Sequence, residues 1–506
     1  MTLEYTSVDE IPDIVAGLHK TFNSGLTKPL KYRKDQLRRL YDLLEENESL
    51  LVKALYDDLR KPEAESLCAE IALPKEEILF FLKNLDEFSK PEKLKPRFMV
   101  SALDKVQVRH DPLGVVLIMG AWNYPIQLFL LPLIGAIAAG NTVLIKPSEI
   151  AVHTAVLLTS LLPRYLDQSS YRVVNGGVPE TTRLLELRFD HICYTGNGVV
   201  GKIVMTAAAK HLTSVTLELG GKSPAIIADD VDIQVVANRV CFGKYYNCGQ
   251  TCVGVDYVLI PESKLEPFLA AIQKSITNFF GENPKSSDAF ARIIADRHFS
   301  RLVGMIENRT SGRIVAGGQH DKTERYIAPT VIAGIEDEKD PLLTEEIFGP
   351  ILPVIAVKDV DAAIKYVNAR DTPLVLYLFA KSSKIINKVL DNTRSGGVTV
   401  NDTMMNCQEL NLPFGGAGAS GIGSYHGHTS WLTFTHSRAT LIRDLSLESA
   451  QVMIKYPPYS AKQIQVMRFF TMSMPWFKRG HTYRKLAGFF ATIAILLGFM
   501  TSAKKF

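Results

Sequence analysis

Four short segments carry side chains with chemistry to offer. Cys252, in Asn247-Cys248-Gly249-Gln250-Thr251-Cys252, sits among glycine and polar residues just before a predicted strand. A thiol there can act as a nucleophile. Its ordinary pKa of about 8.5 leaves only a few per cent thiolate at pH 7, so a base or a helix N-terminus must activate it. An inert thiol is the competing reading, and spacing alone leaves both open. Glu218, in Glu218-Leu-Gly220-Gly221-Lys222-Ser-Pro224, puts a carboxylate before a glycine turn, as a general base or as a plain surface group. Asn123, in Gly120-Ala-Trp122-Asn123-Tyr124-Pro125, follows a short apolar run. An amide at a strand's carboxyl end can donate to an oxyanion, or simply belong to a Pro-terminated turn. The run Tyr194-Thr-Gly196-Asn-Gly198-Val-Val-Gly201 has the form GxGxxG, after a predicted strand and opening a predicted helix. There backbone N–H groups and the helix dipole can meet a phosphate. The same fingerprint asks for an acid about 20 residues on, to hold a ribose. Glu218 stands at that place, so it has two competing assignments.

The elements that must position these residues are legible in the pattern of the chain. Tyr32 to Asp58 carries apolar residues at helical spacing, and residues 59–91 continue so, with Pro74 as an interruption. Gly114 to Gly120 is a short continuous apolar run between glycines, the signature of a strand covered on both faces. A helix is predicted over Gln127 to Ala139, a strand over Thr142 to Ile145 and a helix over Ala151 to Leu162. Strand Tyr171 to Val174, helix Thr181 to Leu187, strand Asp190 to Tyr194 and helix Val199 to Lys210 follow. The alternation resumes after residue 215, with strands at Ser223 to Asp229 and Val255 to Ile260 and a helix at Leu265 to Phe279. Alternating strands and helices predict doubly wound α/β sheets.

Composition narrows the class. The chain has 506 residues, 46% hydrophobic and 22% charged, with a net charge of +4. Its mean hydropathy is +0.06, too low for a protein of many membrane spans. Six cysteines without CxxC spacing argue against a disulfide scaffold and against a structural zinc site; no metal is expected. The first 13 residues hold no apolar stretch, so no targeting peptide is expected and the body should face the cytosol. Charge is distributed unevenly: after Glu448 there is no acid, while nine Lys or Arg follow. Within that basic tail, Leu486 to Ala503 is 18 residues without a charge, bracketed by Arg484-Lys485 and Lys504-Lys505. A helix of that length spans about 27 Å, close to the ~30 Å hydrocarbon core. It reads as a transmembrane tail anchor. Ser460 to Met472 mixes cations with apolar residues, as an interfacial amphipathic helix or a plain surface helix would. Membrane attachment fits this tail better than nucleic-acid binding.

Taken together the motifs resemble the aldehyde dehydrogenase superfamily over roughly residues 5–440. They are Trp122-Asn-Tyr-Pro125, Lys146-Pro-Ser-Glu149, Gly196 to Gly201, Leu217-Glu-Leu-Gly-Gly-Lys222, Gly249-Gln-Thr-Cys252, Glu345-Glu-Ile-Phe-Gly-Pro350 and Pro413-Phe-Gly-Gly416. The run Phe414 to Gly421, Tyr425-His-Gly427 and the hydrophobic tail make the class 3 branch the nearest likeness, and within it the membrane-anchored fatty aldehyde dehydrogenases.

The resemblance implies two doubly wound α/β domains, a small oligomerisation element and a C-terminal transmembrane helix. The implied boundaries are 1–215 for NAD(P) binding, 216–400 for the nucleophile, 401–448 for bridging and oligomerisation, 449–485 for a basic linker and 486–503 for the anchor. It implies Cys252 as nucleophile, Asn123 with the Cys252 N–H as oxyanion donors, and Glu218 as base for thioester hydrolysis. Lys146 and Glu149 would hold the adenine-side ribose, Gly196, Asn197 and Gly201 the pyrophosphate turn, and Glu346 the nicotinamide ribose, with Phe348 packing near the nicotinamide. Glu218 is thereby released from the ribose assignment. Gly198 departs from the threonine or other small residue common at its place, which would loosen the pyrophosphate loop. NAD is the expected cofactor, with NADP as the alternative. Trp122 and Tyr124 are expected to line the substrate funnel, and 460–472 to cover it.

Long-chain aldehydes are the expected substrates, with medium-chain or aromatic aldehydes as the alternative. Acyl transfer to coenzyme A and a catalytically silent binding protein are the rivals; Glu218, a hydrolytic base, weighs against the first, and the presence of Cys252, Glu218 and Asn123 against the second. A homodimer sharing its final strands is expected. The membrane would be the endoplasmic reticulum first, with the peroxisome and the mitochondrial outer membrane as alternatives.

Overall fold

In a computed structural model, residues 2–97, 101–445, 448 and 455–471 are described. They form two compact units. One joins residues 1–90 to His110–Ser437; the other joins Pro91–Arg109 to the described residues from Arg438 onward.

The large unit opens with helices Ile11–Ser24, Leu30–Glu46, Glu48–Leu59 and Leu73–Phe88. The periodic stretch Tyr32 to Asp58 is thus two helices, parted at Asn47, whose amide donates to the Leu43 carbonyl at 2.9 Å. Pro74 is not the interruption its ring suggested. It is the second residue of Leu73–Phe88, a helix that runs on without a break from the turn before it. The irregularity precedes it, as a π-helical turn over Ser66–Ala72.

Two sheets follow. The first has six strands, in the order Gly421–Ile422, Ser214–Glu218, His191–Thr195, Val115–Met119, Thr142–Lys146, Tyr171–Val173. All neighbours are parallel except Gly421–Ile422, which runs antiparallel to Ser214–Glu218. The winding reverses at Val115–Met119, and in such sheets ligands bind where the carboxyl ends part. Helix Gln127–Ala139 is buried at every position, as its apolar character all round requires.

The second sheet has seven strands, in the order Arg313–Ala316, Thr330–Ala333, Ile351–Val357, Tyr257–Pro261, Pro224–Ile227, Val375–Phe379, Gly397–Val400. Only Arg313–Ala316 is antiparallel to its neighbour. The doubly wound α/β expectation therefore holds for both sheets.

The smaller unit holds most of a three-stranded sheet ordered Glu92–Lys93, Lys105–Pro112, Thr435–Ile442. It also contains the helix Ala461–Thr471 inside the predicted amphipathic segment. The tail helix expected over 486–503 lies outside the described residues. Among the described residues no helix is long and apolar enough to cross a membrane.

Candidate active site

The chemical residues come from opposite ends of the two sheets. Asn123 and Glu218 leave the carboxyl ends of Val115–Met119 and Ser214–Glu218 in the first sheet. Cys252 and Glu346 precede the amino ends of Tyr257–Pro261 and Ile351–Val357 in the second.

The nucleophile loop is held in a costly conformation. Asn247, Cys248 and Gly249 all have positive φ, at 51°, 54° and 75°. Left-handed backbone costs a non-glycine residue roughly 1–2 kcal/mol. Buried amides hold it. The Asn247 amide donates to the carbonyls of Asn123 at 2.9 Å and Gln250 at 3.2 Å. The Gln250 amide donates to the carbonyls of Asn247 and Arg292 and accepts from the Ile294 N–H at 3.1 Å. A side chain at Gly249 would collide with the Gly349 carbonyl, so the nucleophile loop lies directly on the loop that carries Glu346 and Phe348. Cys252 is half-buried; burial pushes its thiol well above the ordinary value, with the neighbouring Cys407, Glu346 and Glu218 adding to the rise.

The structure brings Asn123 and Tyr124 to this loop. The Asn123 amide donates to the Gln250 carbonyl at 3.0 Å, which leaves its second N–H for another acceptor. The Tyr124 hydroxyl is 2.8 Å from Thr251 Oγ1. Glu218 is 2% exposed and neither of its oxygens has a hydrogen-bond partner. Burial holds its carboxyl well above the ordinary range. A buried carboxylate left unpaired is expensive, and such a group raises the question of what it serves.

Beside Cys252 lies a pocket lined by Leu73, Tyr124, Gln127, Leu128, Tyr246, Val253, Met404, Cys407, Gln408, Phe414, Tyr425 and His426, among others. Tyr124 lines this pocket. Trp122 does not: its ring packs on His298 at 4.8 Å and edge-on to Phe348 at 5.3 Å, between rings on the other side of its loop. Residues two apart in one loop point to different neighbours, which Trp-Asn-Tyr spacing could not reveal. The pocket residues from 404–426 were missed singly, although the motifs at 413–427 had marked their segment.

The remaining predicted residues fit a dinucleotide. Lys146 and Glu149 pair at 3.0 Å beyond the end of Thr142–Lys146. Gly196 must lack a side chain, because one would strike the Tyr194 ring. Asn197 caps helix Gly198–Ala209, accepting from the Val200 N–H at 3.0 Å. The helix start is open: a side chain on Gly198 would meet nothing within 4 Å. Gly201 is buried against Leu219 and so serves helix-to-strand packing, the usual duty of the third fingerprint glycine. Glu346 lies over Gly220, whose missing side chain makes its room. Its carboxyl is pushed up to about 7 by burial. The loop bearing it is clamped by backbone bonds: Lys222 Nζ donates to the Leu342 and Glu345 carbonyls at 2.9 and 2.8 Å, and Arg301 to the Ile347 carbonyl at 2.6 Å. Phe348 follows with a left-handed φ of 50°.

A protein-family model described as "Aldehyde dehydrogenase family" matches residues 1–440. The chain belongs to the aldehyde dehydrogenase family. It is 47% identical over 458 residues to mouse "Aldehyde dehydrogenase family 3 member A2", covering 90% of this chain and 93% of that one. It is 46% identical over 455 residues to mouse "Aldehyde dehydrogenase, dimeric NADP-preferring", covering 90% and 99%. Among solved structures, a Staphylococcus aureus AldH in a substrate-bound state superposes with a TM-score of 0.88 at 38% identity, over 91% of this chain and 99% of that one. This aldehyde dehydrogenase is therefore an oxidoreductase that takes its oxidising power from NAD(P).

Proposed function

We propose that this aldehyde dehydrogenase converts long-chain aliphatic aldehydes to fatty acids, with Cys252 as nucleophile, Glu218 as general base and Asn123 as oxyanion donor. The observation that carries the chemistry is the buried, unpartnered Glu218 carboxyl beside the Cys252 site. The Cys252 thiol releases its proton to bulk water as its sulfur bonds to the aldehyde carbon, and the carbonyl oxygen becomes an oxyanion. The free Asn123 N–H and the Cys252 backbone N–H hold that charge in a dry site, where such bonds are worth most. NAD(P)+, when bound, accepts hydride. What remains on Cys252 is a thioester. Glu218 then takes a proton from water, the hydroxide attacks the thioester carbon, and the acid leaves as the thiol re-forms. A carboxyl raised by burial is a stronger base than an ordinary one, which suits this step. Lys146 and Glu149 would hold one ribose, the Gly196–Asn197 turn the pyrophosphate, and Glu346 the other ribose. A carboxylate at Glu149 favours a ribose 2′-OH over a 2′-phosphate, so NAD is preferred to NADP.

The substrate reading is supported by the apolar side chains that dominate the pocket, Leu73, Leu128, Val253, Met404 and Phe414 among them. It is supported too by the uncharged run 486–503, since each extra CH₂ favours a lipid phase by about 0.8 kcal/mol. In this reading the tail holds the body on the cytosolic face of the endoplasmic reticulum, where such aldehydes partition. The enzyme works as a homodimer: Thr435–Ile442 is an edge strand with Leu441 and Ile442 exposed, and edges of this kind seek a partner strand.

The test is NAD(P)H formation in detergent over aldehydes from acetaldehyde to hexadecanal, for wild type and Cys252→Ser. Turnover should rise toward the long chains and vanish in the variant. Activity confined to short or aromatic aldehydes would remove the fatty substrate and leave the tail as an address. Deleting 459–472 with the tail kept should shift the chain-length profile; an unchanged profile ends the idea of a cover there.

A further inference from the structure

We infer that the buried ion pair Lys61–Glu70 is a positioning device that aims the Asn123 amide at the reacting oxygen; this rests on the oxyanion role just proposed for Asn123. Both side chains are 0% exposed. Lys61 Nζ is 2.5 Å from Glu70 Oε1 and donates to the Asn123 backbone carbonyl at 2.9 Å. The same ammonium lies 4.1 Å from the centre of the Tyr124 ring. The second Glu70 oxygen accepts from the Ile126 and Gln127 N–H groups at 3.0 and 3.1 Å. One ion pair thus grips the loop at the peptide between Asn123 and Tyr124 and again at two N–H groups downstream.

The grip has a geometric consequence. The Asn123 carbonyl accepts from Lys61 and from the Asn247 amide, so both of its lone pairs are engaged. Its peptide plane cannot swing, and the direction of the Asn123 side chain is set by that plane. The Asn247 amide comes from the strained loop before Cys252, so the donor and the nucleophile are held against each other through one carbonyl. Glu70 reaches the loop from the π-helical turn Ser66–Ala72, whose extra residue per turn changes the face that follows, a feature often found beside working sites. Stability alone is a poor reason for such a pair. Replacing a buried ion pair by apolar residues is often neutral or stabilising, because desolvation offsets the attraction.

The test is a double-mutant cycle. Lys61→Met with Glu70→Gln removes both charges of the pair together, and Glu65, which Lys61 also faces, is common to both backgrounds of the cycle. The kcat of this double variant should fall about tenfold to a hundredfold, the size of a misplacement near 1 Å. The KM for NAD should stay within about twofold, because the pair does not touch the cofactor residues. On an Asn123→Ala background the same change should have almost no further effect, because there is no amide left to aim. Lys61→Arg, which keeps the charge and donors, should recover part of the loss. Equal fold losses on both backgrounds would overturn the inference while leaving the oxyanion role intact. Near-normal kcat in Asn123→Ala would overturn the oxyanion role and the inference with it. If the charge-free pair does not fold, Glu70→Gln alone enters the same cycle, with thermal melting and Cys252 thiol titration as controls for folding.

Discussion

Glu70 and Glu218 are both buried, at 0% and 2% exposure, and their surroundings are opposite. Glu70 faces an ammonium and two backbone N–H groups, so each oxygen is engaged. Glu218 ends a strand with neither oxygen engaged, and burial alone drives its carboxyl up. The difference separates two uses of one residue type. A carboxylate with all its partners fixes the backbone around it. A carboxylate with none has its lone pairs available to substrate and water, and the fold bears the desolvation cost. Glu77 stands between them: it accepts from the Gly427 N–H and Ser430 Oγ, yet burial outweighs both and holds it at about 7.

The sharpest way to break this comparison is at Glu218. Glu218→Gln should lower steady-state turnover by about 10²–10⁴-fold, the range for losing a positioned base. One NAD(P)H per site should form rapidly and then stop, because the thioester cannot be hydrolysed. Loss of that first burst would mean that Glu218 acts before the thioester. Asn123→Ala comes next, with an expected loss in kcat of about 10²–10³-fold, as for other single oxyanion donors. A rise in KM with kcat intact would show that the amide binds ground state and transition state alike.

Single removal of Lys61 sharpens the other half. Lys61→Met leaves Glu70 buried and unpaired, and breaking a buried pair in this way costs about 3–5 kcal/mol. Urea midpoints should therefore drop far more for Lys61→Met than for the charge-free double variant. Equal drops would mean that Glu70 finds other partners. The smallest effect is expected at Glu77. Its folded pKa is raised, so its contribution to stability is full below the unfolded value and is lost as pH rises through about 7. The span amounts to roughly 3 kcal/mol at 1.36 kcal/mol per unit. Glu77→Gln should flatten the pH dependence of the urea midpoint between about pH 4.5 and 7. An unchanged slope would place the titration elsewhere, for example at Glu65, also held near 7.

Much of the fold was legible because the pattern that marks it is local. Gln127–Ala139 matches the predicted helix, and the strands at 115–119, 142–146 and 191–195 lie within a residue or so of the predicted runs. Short buried strands of a parallel sheet are apolar on both faces, so they stand out against amphipathic helices. The helical first hundred residues were legible as a class but not in detail. The break at Asn47 and the π-helical turn at Ser66–Ala72 depend on what packs around them. The site was legible as motifs. Cys252, Glu218 and Asn123 each had a bland local reading, and only their agreement with a family pattern joined them.

By itself, the sequence determined the residue types, their order and the strand or helix each one leaves, because these follow from periodicity, glycine placement and side-chain chemistry over a few residues. Only the tertiary structure decided which groups meet and which are left alone. It turned Trp122 toward Phe348 while Tyr124 turned to Thr251. It brought Lys61 and Glu70, two unremarked charges in a helical stretch, onto the carbonyl of Asn123 and the helix start beyond it. It left Glu218 without a partner. Hydrogen-bond satisfaction and burial are properties of surroundings assembled from distant parts of the chain, and no local spacing encodes them.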